Sequence, residues 1–463
     1  MPYASESGKR TERAHPAGHV PTIHNDLVRE RLSRYQSPQR TGSSPERRAR
    51  VASLLHPAAS LAGSDRNIQF LIAVDGSAHE QEIDANFPST RTLFLQVAGV
   101  LVDLDRLRTK TPQGFADPAA QLDAQDSGVF AGFLPGSNLI SVDGDDPVRA
   151  FRREVHTLMS ETDVNGRYLL DILDGIRSLV RDDDAGDETK RLKCPGCRQG
   201  IDLADLAKDG APCLNPSCDE TLWLTDALRL HEAFAPYESN MSVATRTMLT
   251  LEHLTLLAFG RFVLAETPAA LGSVAFIADG PLALFGEPSR WRRPLIAAWH
   301  RLADVAVKKG LRPPLVIGIE KSGAFVEHAR ALGELLPAGC LMEMPVDYIA
   351  EYINFKNTNY GVGNYYGRKF AYCTIDARIV VFSVPPLGKQ GALPYGPGGA
   401  SALADYPMLG ATCRLLDQIG TRLYDDAVIP LALAHKWASY PLRTAGSVLK
   451  VHAKEHFAAA SPP

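Results

Sequence analysis

The chain has 463 residues, 45% of them apolar and 22% charged, which is enough for two or three domains around at least one full core and far from a disordered or fibrous composition. Its 49 Lys and Arg against 53 Asp and Glu leave a net charge of -4, which argues against a protein that coats nucleic acid by bulk positive charge and leaves room only for local basic patches. No uninterrupted apolar run of about eighteen residues occurs, and the start MPYASESGKR lacks an apolar secretory core, so the expectation is a cytoplasmic protein that neither spans a membrane nor is exported.

In chain order, residues 1–64 carry ten Lys or Arg against five Asp or Glu with little periodicity. They read as an irregular basic arm, in which HNDLVRERLSRY is either one short helix or solvated tail. NIQFLIAVDGS then reads as a buried strand ending in a Gly-Ser turn, TRTLFLQVAGVLVDLD as a second strand, and GVFAGFLPGSNLISVDG as further β-structure. VRAFRREVHTLMSETDVNGRYLLDILDGIRSLVRD reads as helix, broken near Asn165-Gly166, and the acidic link RDDDAGDETK leads into a cysteine cluster.

Beyond the cluster the pattern alternates: a long helix over about Met241 to Glu266, a strand GSVAFIADGPL, a helix RPLIAAWHRLADVAVKKG and a strand PPLVIGIEKSG. A strand-rich stretch RKFAYCTIDARIVVFSVP, a Gly/Pro-dense loop and a final helical region from MLGATCRLLDQIGTRLY complete an α/β chain without internal repeats. The expected division is 1–64 arm, 65–185 first part of the core, 186–235 insert and 236–463 second part of the core.

Asp75 in VDGS and Asp279 in IADGP share one grammar, an apolar strand, a terminal Asp and a Gly, which can hold a divalent cation against a phosphate or can be two unrelated turns. Glu252 has Met248, Leu249, Thr255 and Leu256 as its helical neighbours, an apolar surround in which a glutamate is costly unless it is paired, bound to metal, or escapes at an edge. Lys321 just past its strand can neutralise a phosphate or be an exposed cap, and His435 in IPLALAHKWA can ligate metal, move a proton, or be a core histidine. Glu320 alternates with Lys321 across the strand, so at most one of them faces a common site. RWRRP at Arg290 to Pro294 is either a local phosphate-binding patch or a solvated helix start.

Of the seven cysteines, Cys194, Cys197, Cys213 and Cys218 are spaced as Cys-x2-Cys, fifteen residues, then Cys-x4-Cys. This is the pattern of a zinc ribbon, whose four sulfur ligands close the site and make its zinc structural.

With these residues in hand the chain resembles the NurA nuclease family. The matching stretches are FLIAVDGS with FPSTRTLFLQVAGVLVDL, TLEHLTLLAFGRF, FIADGPLALFG, VIGIEKSG, NYYGRKFAY and LALAHKWA, over about residues 66 to 440. The resemblance implies a ribonuclease H-like mixed sheet core and a manganese-dependent (or magnesium-dependent) deoxyribonuclease acting on DNA ends with 5′-to-3′ polarity. It also implies a homodimer docked on a hexameric HerA-type ATPase, in DNA end processing or antiviral defence. By motif, Asp75, Glu252 and Asp279 would hold the Mn2+ while Lys321 and His435 assist, with Glu266 as the alternative to Glu252. The cysteine insert and basic arm depart from the shortest members. Rival readings are a catalytically inactive, DNA-clamping adaptor that docks the ATPase, and a related enzyme acting on RNA. The absence of a GxxxxGK[ST] loop places any nucleotide hydrolysis in another polypeptide.

Overall fold

A computed structural model describes residues 17–37, 44–83, 87–107, 125–179, 191–420, 428–439, 448–449 and 451. Its strands are β1 (Leu55–Pro57), β2 (Phe70–Glu82), β3 (Arg91–Asp103), β4 (Gln125–Pro135), β5 (Arg191–Lys193), β6 (Gly200–Asp202), β7 (Ala211–Pro212), β8 (Thr221–Leu222), β9 (Val274–Asp279), β10 (Leu315–Glu320), β11 (Cys340–Glu343), β12 (Arg368–Cys373) and β13 (Ile379–Val384). Nine of them form one mixed sheet in the order β1-β11-β12-β13-β10-β9-β2-β3-β4, and β5-β6 and β7-β8 form two small hairpins in the cysteine region. Only the central trio is parallel: β9 runs alongside β2 on one side and β10 on the other.

Alternation along the central strands divides the core. Ile72 and Val74 of β2 and Phe276 and Ala278 of β9 pack on one face, under the long helix Met241–Glu266 and the helices Pro147–Glu161, Leu169–Arg177 and Arg292–Lys308. Leu71, Ala73, Ala275 and Ile277 face the other way, against the helices Leu409–Ile419 and Ile429–Ala438. Burial on both faces explains the unbroken apolar runs of the parallel strands. The long helix is apolar enough by composition to cross a membrane, but it is mostly buried against the sheet and its neighbours.

Several expectations change. The strand through Asp75 does not end at Gly76-Ser77: β2 continues to Glu82, because β3 pairs with it from Phe70↔Asp103 through Glu82↔Arg91. NLISVDG forms no strand; the chain turns at Asn138 in the left-handed region and leaves Ile140 and Val142 exposed. The arm is not irregular throughout: Asn25 caps a helix Asp26–Leu32, a second helix covers Ser44–Ala52, and β1 pairs with β11 at the sheet edge. Val51 and Leu54 are buried there.

The helix break at Asn165-Gly166 is present, with both residues at positive φ between the helices Pro147–Glu161 and Leu169–Arg177. The link 181–190 lies outside the described residues. RWRRP starts the helix Arg292–Lys308 as a brace: the buried Trp291 indole donates to the Ala227 carbonyl, and Arg292 donates to those of Val362 and Ser289.

Candidate functional site

The register of the parallel trio sets the geometry. β2 and β9 pair until Val74↔Ala278 and then part, while β2 continues with β3 alone. Asp75 and Asp279 are the next residue on each strand, so they emerge side by side on the same face at the carboxyl ends of parallel strands, where open α/β sheets leave a crevice. Gly280, at φ +82, then turns the chain away and donates its N–H to the Ile319 carbonyl of β10. Two residues past Ile319, the Lys321 Nζ donates to Asp279 Oδ2 at 2.7 Å.

On the other flank, His435 Nδ1 lies 2.9 Å from Asp75 Oδ2. It reaches Asp75 from the helix Ile429–Ala438, which packs on this face of the sheet. Asp75 is nearly fully buried, whereas the His435 side chain is 59% exposed, so the imidazole links a buried carboxylate to solvent.

Glu252 enters from the opposite face, on the long helix. Gly76 is what admits it: a β-carbon at that position would lie 2.5 Å from Glu252 Oε1 and 2.7 Å from Met248 Cγ. The Gly after Asp75 therefore provides close approach rather than a turn. Glu266, at the exposed end of the same helix, lies fourteen residues on, about 21 Å along the axis, so Glu252 is the helical carboxylate beside Asp75. Glu320 faces away from this group and pairs with the buried Lys369 at 2.8 Å, as strand alternation requires.

Electrostatics follow from crowding. Burial, then the Asp279 carboxylate, push the Asp75 carboxyl up to about 6, against the opposing pull of Lys321 and His435. Burial, then Asp75 and Asp279, push Glu252 well above the ordinary carboxylate range, although the Gly76 N–H and Lys321 favour its charged form. Asp75, Asp279 and Glu252 thus lie near enough for Asp75 and Glu252 to be raised by their neighbours, with Lys321 on Asp279 and His435 on Asp75; among the described residues only the four cysteines bring their ligand atoms within 4.8 Å of one another. An all-oxygen anionic donor set of this kind suits a hard divalent cation such as Mg2+ or Mn2+, whose charge would offset the crowding.

The cysteine cluster is a separate centre. Cys194 Sγ is 3.8 Å from Cys218 Sγ, and Cys197 Sγ is 3.8 Å from Cys213 Sγ, with all four sulfurs within 4.8 Å of one another. Sulfurs about 2.3 Å from a tetrahedral zinc are about 3.8 Å apart, so the four fit that ion. The Gln199 backbone N–H, and after it the Asn215 side chain, hold the Cys197 thiol down at about 6 against its burial, whereas burial pushes the Cys194 thiol up to about 12. Arg152, on the helix Pro147–Glu161, ties that helix to the cysteine region: its buried guanidinium binds Glu220 and Asp226.

Sequence reasoning missed His253 and Tyr366, which adjoin the carboxylates. His253 follows Glu252 in an almost wholly apolar helix, and the argument that singled out Glu252 applies equally to it.

No family model and no curated sequence matches the chain. Among solved structures, the NurA nuclease from Sulfolobus solfataricus is similar with a TM-score of 0.35 and 8% identity, covering 97% of this chain and 100% of that one.

Proposed function

We propose that the protein is a divalent-metal-dependent nuclease that cleaves phosphodiester bonds in DNA. The observation that supports it best is the grouping of Asp75, Asp279 and Glu252, brought from two adjacent strands and the opposite-face helix near enough that Asp75 and Glu252 are both raised by their neighbours. Asp75, Glu252 and Asp279 are the residues that would hold the cation, Mn2+ or Mg2+, which when bound supplies an activated water and a counter-charge to the phosphate.

The chain's own groups do the rest. Lys321, oriented by Asp279, offsets the charge that grows on a phosphate oxygen. His435 is held through Nδ1 on Asp75, which leaves Nε2 to hold or deliver a proton at the leaving oxygen. The closed cysteine set would carry a structural zinc and take no part in cleavage.

The proposal extends, on the sequence resemblance, to a ribonuclease H-like core arrangement, 5′-to-3′ action on DNA ends, a homodimer and a HerA-type partner that hydrolyses the nucleotide. The division into a two-part core with a 186–235 insert belongs to the same proposal.

The test is degradation of linear DNA with Mn2+, comparing wild type, Asp75→Ala and Asp279→Ala, each with and without a HerA-type ATPase. Wild type should degrade ends, and both folded variants should lose about 1,000-fold in rate, roughly 4 kcal/mol of transition-state stabilisation. Cleavage persisting in both variants, or absent from wild type in every condition, would overturn the reading.

A further inference from the structure

Behind the carboxylates lies a buried polar pair that the proposed chemistry does not use. His253, on the long helix, and Tyr366, just before β12, are both almost completely inaccessible. Their rings meet edge to face with centroids 5.4 Å apart. His253 Nε2 is 3.0 Å from the Ala283 carbonyl, and its Nδ1 is 2.7 Å from the Tyr366 hydroxyl.

A carbonyl only accepts, so Nε2 carries the proton and donates it to Ala283. In the neutral ring this leaves Nδ1 with a bare lone pair, 2.7 Å from the Tyr366 hydroxyl. The Tyr366 hydroxyl therefore donates to Nδ1. Both ring nitrogens are satisfied in one tautomer and one orientation only.

The two partners of His253 belong to one unit. Ala283 lies in the segment that follows Asp279 and Gly280, where the Leu282 carbonyl accepts from the Tyr366 and Gly367 N–H groups and Leu284 donates to Asn364. Ala283 and Tyr365 form an isolated bridge between the same two stretches. Across this unit, His253 ties the helix that carries Glu252 to the loop that leaves Asp279. It neighbours one carboxylate in sequence and, through Ala283, follows the other by four residues.

We infer that His253, oriented by Tyr366, is a positioning residue that fixes the separation of Glu252 and Asp279 and so sets the affinity of the crevice for a divalent cation. The inference rests on the nuclease reading above. Supporting partners of this kind change metal affinity by about 10-fold to 100-fold when removed, because the ligands must then be ordered by the metal itself.

The test is calorimetric titration of the full-length, zinc-loaded protein with MnCl2, alongside circular dichroism and thermal midpoints. His253→Leu should remain folded and bind Mn2+ at least about 10-fold more weakly. His253→Gln, whose amide nitrogen can donate to Ala283 while its oxygen accepts from Tyr366, should recover most of the loss. Tyr366→Phe keeps the ring packing and removes only the donor, and should weaken Mn2+ binding by about 3-fold to 10-fold. It carries the test if His253→Leu does not fold.

A purely structural role would lower the thermal midpoint and leave the Mn2+ affinity unchanged, and that result overturns the inference. If wild type binds Mn2+ and the folded variants bind it equally well, this inference alone fails. If wild type takes up no Mn2+ in the crevice, the nuclease reading fails and the inference falls with it.

Discussion

The two centres of this molecule are built in opposite ways. The cysteine cluster draws four soft side chains from 25 consecutive residues and is framed by two short hairpins. The carboxylate group brings together Asp75, Glu252 and Asp279 from three separate elements, adds His435 from 360 residues away, and meets solvent on the histidine side. A cluster drawn from one short stretch can form locally, whereas a group drawn from distant stretches exists only once the whole fold brings its elements together.

The sharpest way to break this contrast is a pair of substitutions with crossed outcomes. Cys213→Ser should release the zinc, seen by metal analysis, and lower the thermal midpoint by about 10 °C, the equivalent of roughly 3 kcal/mol or more. The folded fraction should still cleave DNA at the wild-type rate. Asp279→Ala should do the reverse, keeping zinc and fold while losing the roughly 1,000-fold described above. If Cys213→Ser abolished cleavage by molecules that remain folded, the two centres would not be independent.

Within the crevice, Lys321→Met separates charge neutralisation from metal holding. It should lower kcat by about 100-fold. Divalent-ion affinity should hold steady or rise, because Asp279 loses its competing cation. Equal losses in kcat and in Mn2+ affinity would instead make Lys321 a structural cap.

Gly76→Ala addresses close approach. The added β-carbon must displace Glu252 or Met248, so half-saturation by Mn2+ should rise by about 10-fold, with a stability loss of about 1 to 3 kcal/mol. An unchanged metal requirement would show that Glu252 yields without consequence.

The mildest probe is pH. The Asp75 carboxyl is raised from 3.8 to about 6, so between those values the metal-free fold holds a proton that the unfolded chain has released. That contribution to stability is fully present below about 4 and is lost as the pH rises through about 6. Metal affinity runs the other way, since the cation must displace the proton on Asp75 and the one that the raised Glu252 holds, and should increase with pH through about 6. Asp75→Asn should flatten both profiles; if thermal midpoints and Mn2+ titrations across pH 4 to 8 show no difference between the two proteins, the raised carboxyl is excluded.

What could be read from the chain alone was whatever depends on neighbours in sequence. The long helix begins and ends where its apolar pattern does, at Met241 and Glu266, and the cysteine spacing already contains the knot, because helix periodicity and hairpin ligands are both local. Asp75, Glu252 and Asp279 could each be marked as a carboxylate in an apolar setting, since burial is legible from flanking residues.

Their convergence was decided only by tertiary structure. β9 inserts between β2 and β10, some two hundred residues after β2 begins, and the point where it leaves β2 puts Asp75 and Asp279 on one row. The role of Gly76 was hidden for the same reason: a glycine after an aspartate reads as a turn until a helix from the other face requires the space. His253 and Tyr366 were not anticipated at all, because a hydrogen bond between residues 113 apart leaves no trace in either local pattern. Strand pairing and buried polar satisfaction are long-range conditions, met by the whole fold at once, and no window of sequence contains them.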